Sequence, residues 1–470
     1  MEIVNQSLLD TSYWKEIFQQ HRDAITHYDT PLLTKMRNEA LENFLSSGIP
    51  DLNHERWRNT DIRKFFRNDW NFLFQMPDNH GKIEDFFLCE VQGFDTLLIT
   101  LFNGWYTYKN SPLRILTDGT IIGGLRAALV EAPEIIERYL GRFADFRQNA
   151  FTSLCTAFAS EGFFIYVPDG VQLQKPIQMV NVVNYSQPLF MQTRNLIIAG
   201  KGSSIQLLHC DDSNNNEPAF TNSLTEIYVG EGASVDYYKL QNINDHSVIE
   251  HNAYIHQEKQ SVCNTYSINL HGGLIRNETY NHLAGHHAEG NHFGLYLMDK
   301  NQQADNLIFV DITASDCVSY ELFKGVLDDY AHGVFNGHIL VHNDGQRTQA
   351  YQSNRNILLT DKALVNTKPF LEIYADDVKC SHGATIGQLD KEAMFYLRSR
   401  GIDQDNARLL LMYAFAAEIL NRIDIPALKD RLDDLVKKRL RGELSICDQC
   451  VLHCKNPEKP IVFDIDLSKL

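Results

Sequence analysis

The sequence holds no apolar run approaching the roughly 18 residues that a membrane-spanning helix needs. It also lacks a G-x-x-x-x-G-K-[ST] run, so the chain is not itself a P-loop ATPase. No G-x-S-x-G elbow and no H-E-x-x-H pair occurs. Gly230-Glu231-Gly232 lacks the third glycine of a dinucleotide fingerprint and falls among strand-like runs. Positive charge is scarce: 43 Lys and Arg stand against 60 Asp and Glu, a net charge of -17. Phosphate recognition needs clustered cations, so nucleic acid and an anionic membrane surface are both excluded as main partners. The opening residues Met1-Glu2-Ile3-Val4-Asn5-Gln6 form neither a basic n-region nor an apolar h-region. A cytoplasmic location is therefore expected, or an organelle had a transit peptide been removed. The nine cysteines are odd in number and scattered, which is not a disulfide framework.

What is present is length and an ordinary globular composition, 470 residues with 44% hydrophobic and 22% charged. A single core stops growing near about 250–300 residues, so more than one structural unit is expected. Helical spacing of apolar residues marks residues 12–27 and 32–46, with Pro31 placed to open the second helix. The same signal returns over residues 120–143 and 146–159. The segment 70–116 reads as mixed. From Phe163 onward, short β-rich runs such as Phe164-Ile165-Tyr166-Val167 and Val235-Asp236-Tyr237-Tyr238 follow one another between Gly, Asn and Asp breakers. Such a series suits a sandwich, a barrel or a β-helix. Its unbroken length favours a solenoid, although no clean fixed-period repeat is visible. Helix returns from Leu389, with Ala407, Leu410, Leu411, Ala414 and Leu420 on one amphipathic stretch and Pro426 opening another. The expected organisation is a helical and mixed region at 1–145, a mainly β core at 146–388, a helical region at 389–446 and a cysteine-containing tail at 447–470.

Several strings are distinctive. Residues 367–388 read Thr-Lys-Pro-Phe-Leu-Glu-Ile-Tyr-Ala-Asp-Asp-Val-Lys-Cys-Ser-His-Gly-Ala-Thr-Ile-Gly-Gln, followed by Phe395-Tyr396-Leu397-Arg398-Ser399-Arg400-Gly401-Ile402. Upstream lie Phe335-Asn336-Gly337-His338 and Gln352-Ser353-Asn354-Arg355-Asn356-Ile357-Leu358-Leu359, and near the start Glu55-Arg56-Trp57-Arg58-Asn59-Thr60-Asp61. Together they resemble the SufB/SufD family from about residue 50 to 420, most densely between 335 and 402. The wording Cys380-Ser381-His382-Gly383-Ala384-Thr385 favours the SufD side, since SufB members tend to carry a His-Glu-Ala version there. The resemblance implies a right-handed parallel β-helix flanked by helical N-terminal and C-terminal regions. It implies a non-catalytic scaffold role in iron–sulfur cluster assembly, with no stably bound cofactor and only a transient cluster at the interface with SufB. It further implies pairing with SufB through the β-helix, and docking of the ATPase SufC on the helices at 403–421 and 426–441. A homodimer in the absence of SufB is compatible with it.

Cys380 and His382 are the first candidates for chemistry. On extended backbone, positions i and i+2 project from the same face, so thiolate and imidazole can approach one metal site. A cluster usually wants four protein ligands, so the others must come from another chain or from the cargo. In the family, the position matching His382 faces a SufB cysteine where a nascent cluster is thought to form, and the role is carried to His382 and Cys380. The alternative is a Cys packed in the solenoid and a His bonded to backbone. Cys447, Cys450 and Cys454, with His453, form a C-x2-C-x3-C run outside the resemblance. Its spacings fall on one helical face as a metal half-site would, yet no second C-x2-C completes it, and a packed tail is the alternative. The stretch from His282 to His292 holds four histidines, as a metal site or as a solvated turn around Gly285 and Gly290. Cys89, Cys155, Cys210, Cys263 and Cys317 sit in apolar or strand-like contexts and are expected to be buried. Two rival functions remain at this point. One is a β-helix carbohydrate-processing enzyme, for which Asp376 and Asp377 would be the acids. The other is a stand-alone metal-binding protein using the cysteine tail.

Overall fold

The computed structural model describes residues 8–67, 69–76, 95–107 and 111–443. Helices open where the chain supplies caps. The Asp10 carboxylate accepts from the Ser12 N–H ahead of helix Thr11–Thr26, and the Thr30 hydroxyl accepts from Leu33 ahead of Pro31–Ser47. Pro31 occupies the first turn, where its missing N–H costs nothing. These helices and a third, Ala150–Phe158, bury an aromatic cluster. The fully buried Trp14 lies edge-on to Phe44, Phe158 and Phe190 with ring centroids 5.5–5.7 Å apart. Phe190, Phe220, Val248 and Leu274 of the β-region join the same cluster, so the N-terminal helices lie on the outside of a sheet.

From Phe163–Val167 to Val378–Gly387 the chain forms a parallel β-solenoid of about 7 turns. Successive strands alternate between an 11-stranded and a 10-stranded sheet. Val248 pairs with Leu274, Ser204 with Ser234 and His332 with Leu364, so one turn takes 26 to 32 residues. The drift explains why no fixed period can be read along the sequence. Ile205, Leu207, Val235 and Tyr237 point inward to meet Ile227 and Val229 of the facing sheet. Their outward neighbours Leu208, Tyr238 and Leu240 are also buried, under the C-terminal helices. A strand covered on both faces shows continuous apolar character in place of alternation.

The covering helices are Gln404–Leu420, capped by Asp403, and Pro426–Leu440. Leu409, Met412, Ala416, Leu432, Leu435 and Val436 bury against Tyr266, Ile268 and Leu295. The Arg439 Nε donates 2.6 Å to the Leu270 carbonyl, and its Nη1 reaches Asp299 at 2.6 Å, fastening the last helix to two solenoid turns. No helix among the described residues is long and apolar enough to cross a membrane.

The two ends of the solenoid differ. At the first, Leu97–Phe102 carries the antiparallel Trp105–Tyr106, and Leu113–Ile115 and Ile121–Gly124 add antiparallel strands. Ile121–Gly124 corrects the helical expectation for the start of residues 120–143; helices Leu125–Glu131 and Pro133–Tyr139 follow it. The physical reason is close packing: a Cβ on Gly123 would lie 2.3 Å from the Pro112 carbonyl oxygen, so only a glycine strand fits there. At the other end, Leu364–Ile373 and Val378–Gly387 are each the last strand of a sheet, paired on one side only among the described residues.

Candidate functional site

Cys380 pairs in register with Ala350, and His382 with Gln352. Ala350 is fully buried in the solenoid interior with Cys317, Phe323 and Val365, which identifies the side of the last strand that faces inward. Cys380 packs half-buried against that cluster, and His382, one inward position on, is exposed, with no further turn over it among the described residues. Burial raises the Cys380 thiol above its ordinary value, opposed in part by the Ala350 backbone. The thiol therefore gives up its proton less readily than an exposed one. The surroundings are open: a Cβ built on Gly383 or Gly387 meets nothing within 4 Å. Tyr374, Phe395 and Tyr396 are 57–74% exposed beside this end, and helix Lys391–Ser399 buries none of its residues.

Beneath His382 the interior is polar. His292, Glu321, Gln352 and His382 occupy consecutive register positions on four adjacent strands. The Gln352 Nε2 donates to Glu321 Oε2 at 2.7 Å. Burial pushes the Glu321 carboxyl up to about 8, with the Gln352 hydrogen bond opposing. His292, fully buried, is pushed down to about 3 by desolvation and pairs with Thr265 Oγ1 at 2.7 Å and Asn281 Nδ2 at 3.2 Å. Sequence reasoning missed this ladder. Gly337 and Gln352 lie in two of the distinctive strings, Phe335–His338 and Gln352–Leu359, but their contact is tertiary: a Cβ on Gly337 would stand 2.2 Å from Gln352 Nε2.

The string Glu55–Asp61 acts elsewhere, as a fastening of the N-terminal region to the sheet. The Arg276 guanidinium lies 3.8 Å from the Trp57 ring centroid, and Thr60 Oγ1 donates to Asp305 Oδ2 at 2.6 Å. Arg276 is itself wholly buried and ion-paired to Glu278 and Asp305.

The remaining candidates do not converge. Cys155, Cys210, Cys263 and Cys317 are buried as expected, and burial pushes the Cys155 thiol up to about 12 and Cys317 to about 11. Within the histidine-rich stretch, His282 pairs with Thr313, His286 with Ser315, and His292 lies inside the solenoid on strand Glu289–Met298, outside any turn. No group of three His, Cys, Asp or Glu among the described residues is placed to hold a metal. Asp376 and Asp377 are exposed in the turn before the last strand. Cys89, Cys447, Cys450, His453 and Cys454 lie outside the described residues.

Residues 182–415 match the family model of the SUF system FeS cluster assembly SufBD core domain, and residues 9–179 that of the SufBD protein N-terminal region. An iron–sulfur cluster assembly SufBD family protein of Synechocystis is 29% identical over 93% of this chain and 98% of its own length. The iron–sulfur cluster assembly protein SufD of Escherichia coli is 28% identical over 86% of this chain and 92% of its own. The protein of that name from Bacillus subtilis is 25% identical over 92% and 98%.

Proposed function

From the premise that the chain belongs to the SufBD family of iron–sulfur cluster assembly proteins, we propose that it is the SufD-type scaffold subunit of a cytoplasmic SufB–SufC–SufD complex. The observation that carries this reading is the bare last turn of the solenoid. Among the described residues, two adjacent strands of ten residues each present one unpaired backbone edge, and unpaired N–H and C=O groups are a template for another chain. SufB would dock on that edge and bring its own ligands to His382. The cluster is cargo, completed by the partner, since one imidazole and one thiol cannot hold it. Alone, the chain could pair the same edge with a second copy.

SufC would meet the C-terminal helical region. The apolar faces of Gln404–Leu420 and Pro426–Leu440 lie against the sheet, so the contact falls to their outward sides and to the exposed helix Lys391–Ser399. ATP hydrolysis would be SufC's, with this chain contributing geometry.

Co-expression with SufB and SufC of the same source tests the reading. His382→Ala, at an exposed position, should leave the purified complex at wild-type yield and lower its iron and sulfide by about tenfold or more, tenfold being the low end of what loss of even an outer-shell partner of a metal site costs. Unchanged iron and sulfide would remove His382 from the assembly site.

A further inference from the structure

We propose that Gln352 is a positioning residue for His382: its side-chain carbonyl accepts one imidazole N–H from inside the solenoid and leaves the other ring nitrogen, as a lone-pair donor, facing the docked partner. This rests on the reading of His382 as the residue that meets the cluster.

Three observations converge on it. Gln352 is 3% exposed, yet its Oε1 is buried without a hydrogen-bond partner, while its Nε2 is committed to Glu321. A buried carbonyl left unpaired is costly, so such an atom calls for a donor. The side chain next to it in register on the inward face is His382, and neighbouring strands stand only about 4.8 Å apart.

The second observation is how the carboxamide is held. Glu321 fixes its nitrogen end, and the Glu321 carboxyl, pushed up to about 8, keeps its proton near neutrality, so the pair adds no charge beside the imidazole. Across the interior, the absence of a side chain at Gly337 leaves the space in which the carboxamide lies. Glu321, Gly337 and Gln352 thus define one place and one direction for the acceptor.

The third is chemical. A histidine that ligates through one nitrogen is normally oriented by a hydrogen bond from the other, and that bond selects the tautomer. His382 is exposed on a terminal strand, and among the described residues its one register neighbour is Gln352. Gln352 lies on its buried side, where such a partner must be.

The test is nitrogen NMR of the full chain carrying labelled histidine, with the His382 signals assigned by their loss in His382→Ala. Wild type should show one ring nitrogen protonated and the other bare. Gln352→Leu and Gln352→Met, two substitutions that keep bulk and remove the carbonyl, should give averaged tautomers in chains that remain folded, with a melting temperature lowered by the loss of the Glu321 hydrogen bond. In the SufB–SufC complex each should lower cluster content by about tenfold. Unaltered His382 signals in both variants would overturn the inference, whatever the role of His382. If the signals change but His382→Ala complexes keep their clusters, the hydrogen bond stands and the assembly-site reading falls.

Discussion

A carboxyl walled into the solenoid without a cation keeps its proton, and Glu321 is that case. Its proton is released near pH 8 in the folded chain, against an ordinary value of 4.5. Between those values the unfolded chain is ionised while the native one still holds the proton. The contribution of Glu321 to stability therefore falls as pH rises through this window, by at most about 1.4 kcal/mol per pH unit. His292, pushed down to about 3 by burial, takes up a proton below its ordinary 6.5 only in the unfolded chain, so it offsets the Glu321 loss up to about pH 6.5, while Gln352 does not titrate and leaves the loss uncompensated in this row above that. Glu321→Gln keeps the shape and removes the titration. In urea unfolding at pH 5 and pH 8, its stability relative to wild type should rise with pH; an equal difference at both would show that Glu321 is not the proton-holding group. Cys380 and His382 were legible as a pair because the string around them is distinctive and an i, i+2 spacing has one meaning on a strand. Glu321 and Gln352 were not, because only register shows that residues 31 and 30 apart share one interior row. His292 was hidden by its neighbours: the stretch from His282 crosses a strand end, a turn and a new strand, and only the middle is a turn.

At the scale of elements, the helices were read from local chemistry that acts wherever it occurs. Thr30 with Pro31, and Pro426, start helices where expected. The stretch before Leu125 failed because Gly123 packs against backbone, a tertiary fact that overrides the apolar spacing around it. The β-region was legible as many short strands, and its period was not, since the turns vary in length and both faces are covered. The C-terminal helices look amphipathic in sequence, and the structure assigns their apolar sides to the sheet, which moves attention to Lys391–Ser399. Phe395 there is 74% exposed and supports no core. Phe395→Asp should leave the melting temperature unchanged and abolish co-purification of SufC; retained SufC would exclude this helix from the contact.

At the scale of the molecule, the design is a polarised rod. Helices from the N-terminal and C-terminal regions cover the outsides of opposite sheets, and antiparallel strands close one end. Among the described residues no further strand covers the other end, and its last strand carries Cys380 and His382, the groups proposed to meet a cluster. Parallel strands buried on both faces are stabilised by their neighbours, so an exposed final turn is the part of the rod that gains most from a partner. The assembly role proposed for His382 depends on SufB docking at that end. Hydrogen–deuterium exchange of the chain, alone and in complex with SufB, measures it directly. The amides of Val378–Gly387 and Leu364–Ile373 should become strongly protected in the complex. If their exchange is unchanged while protection appears elsewhere, the open end is not the docking edge and the account is wrong.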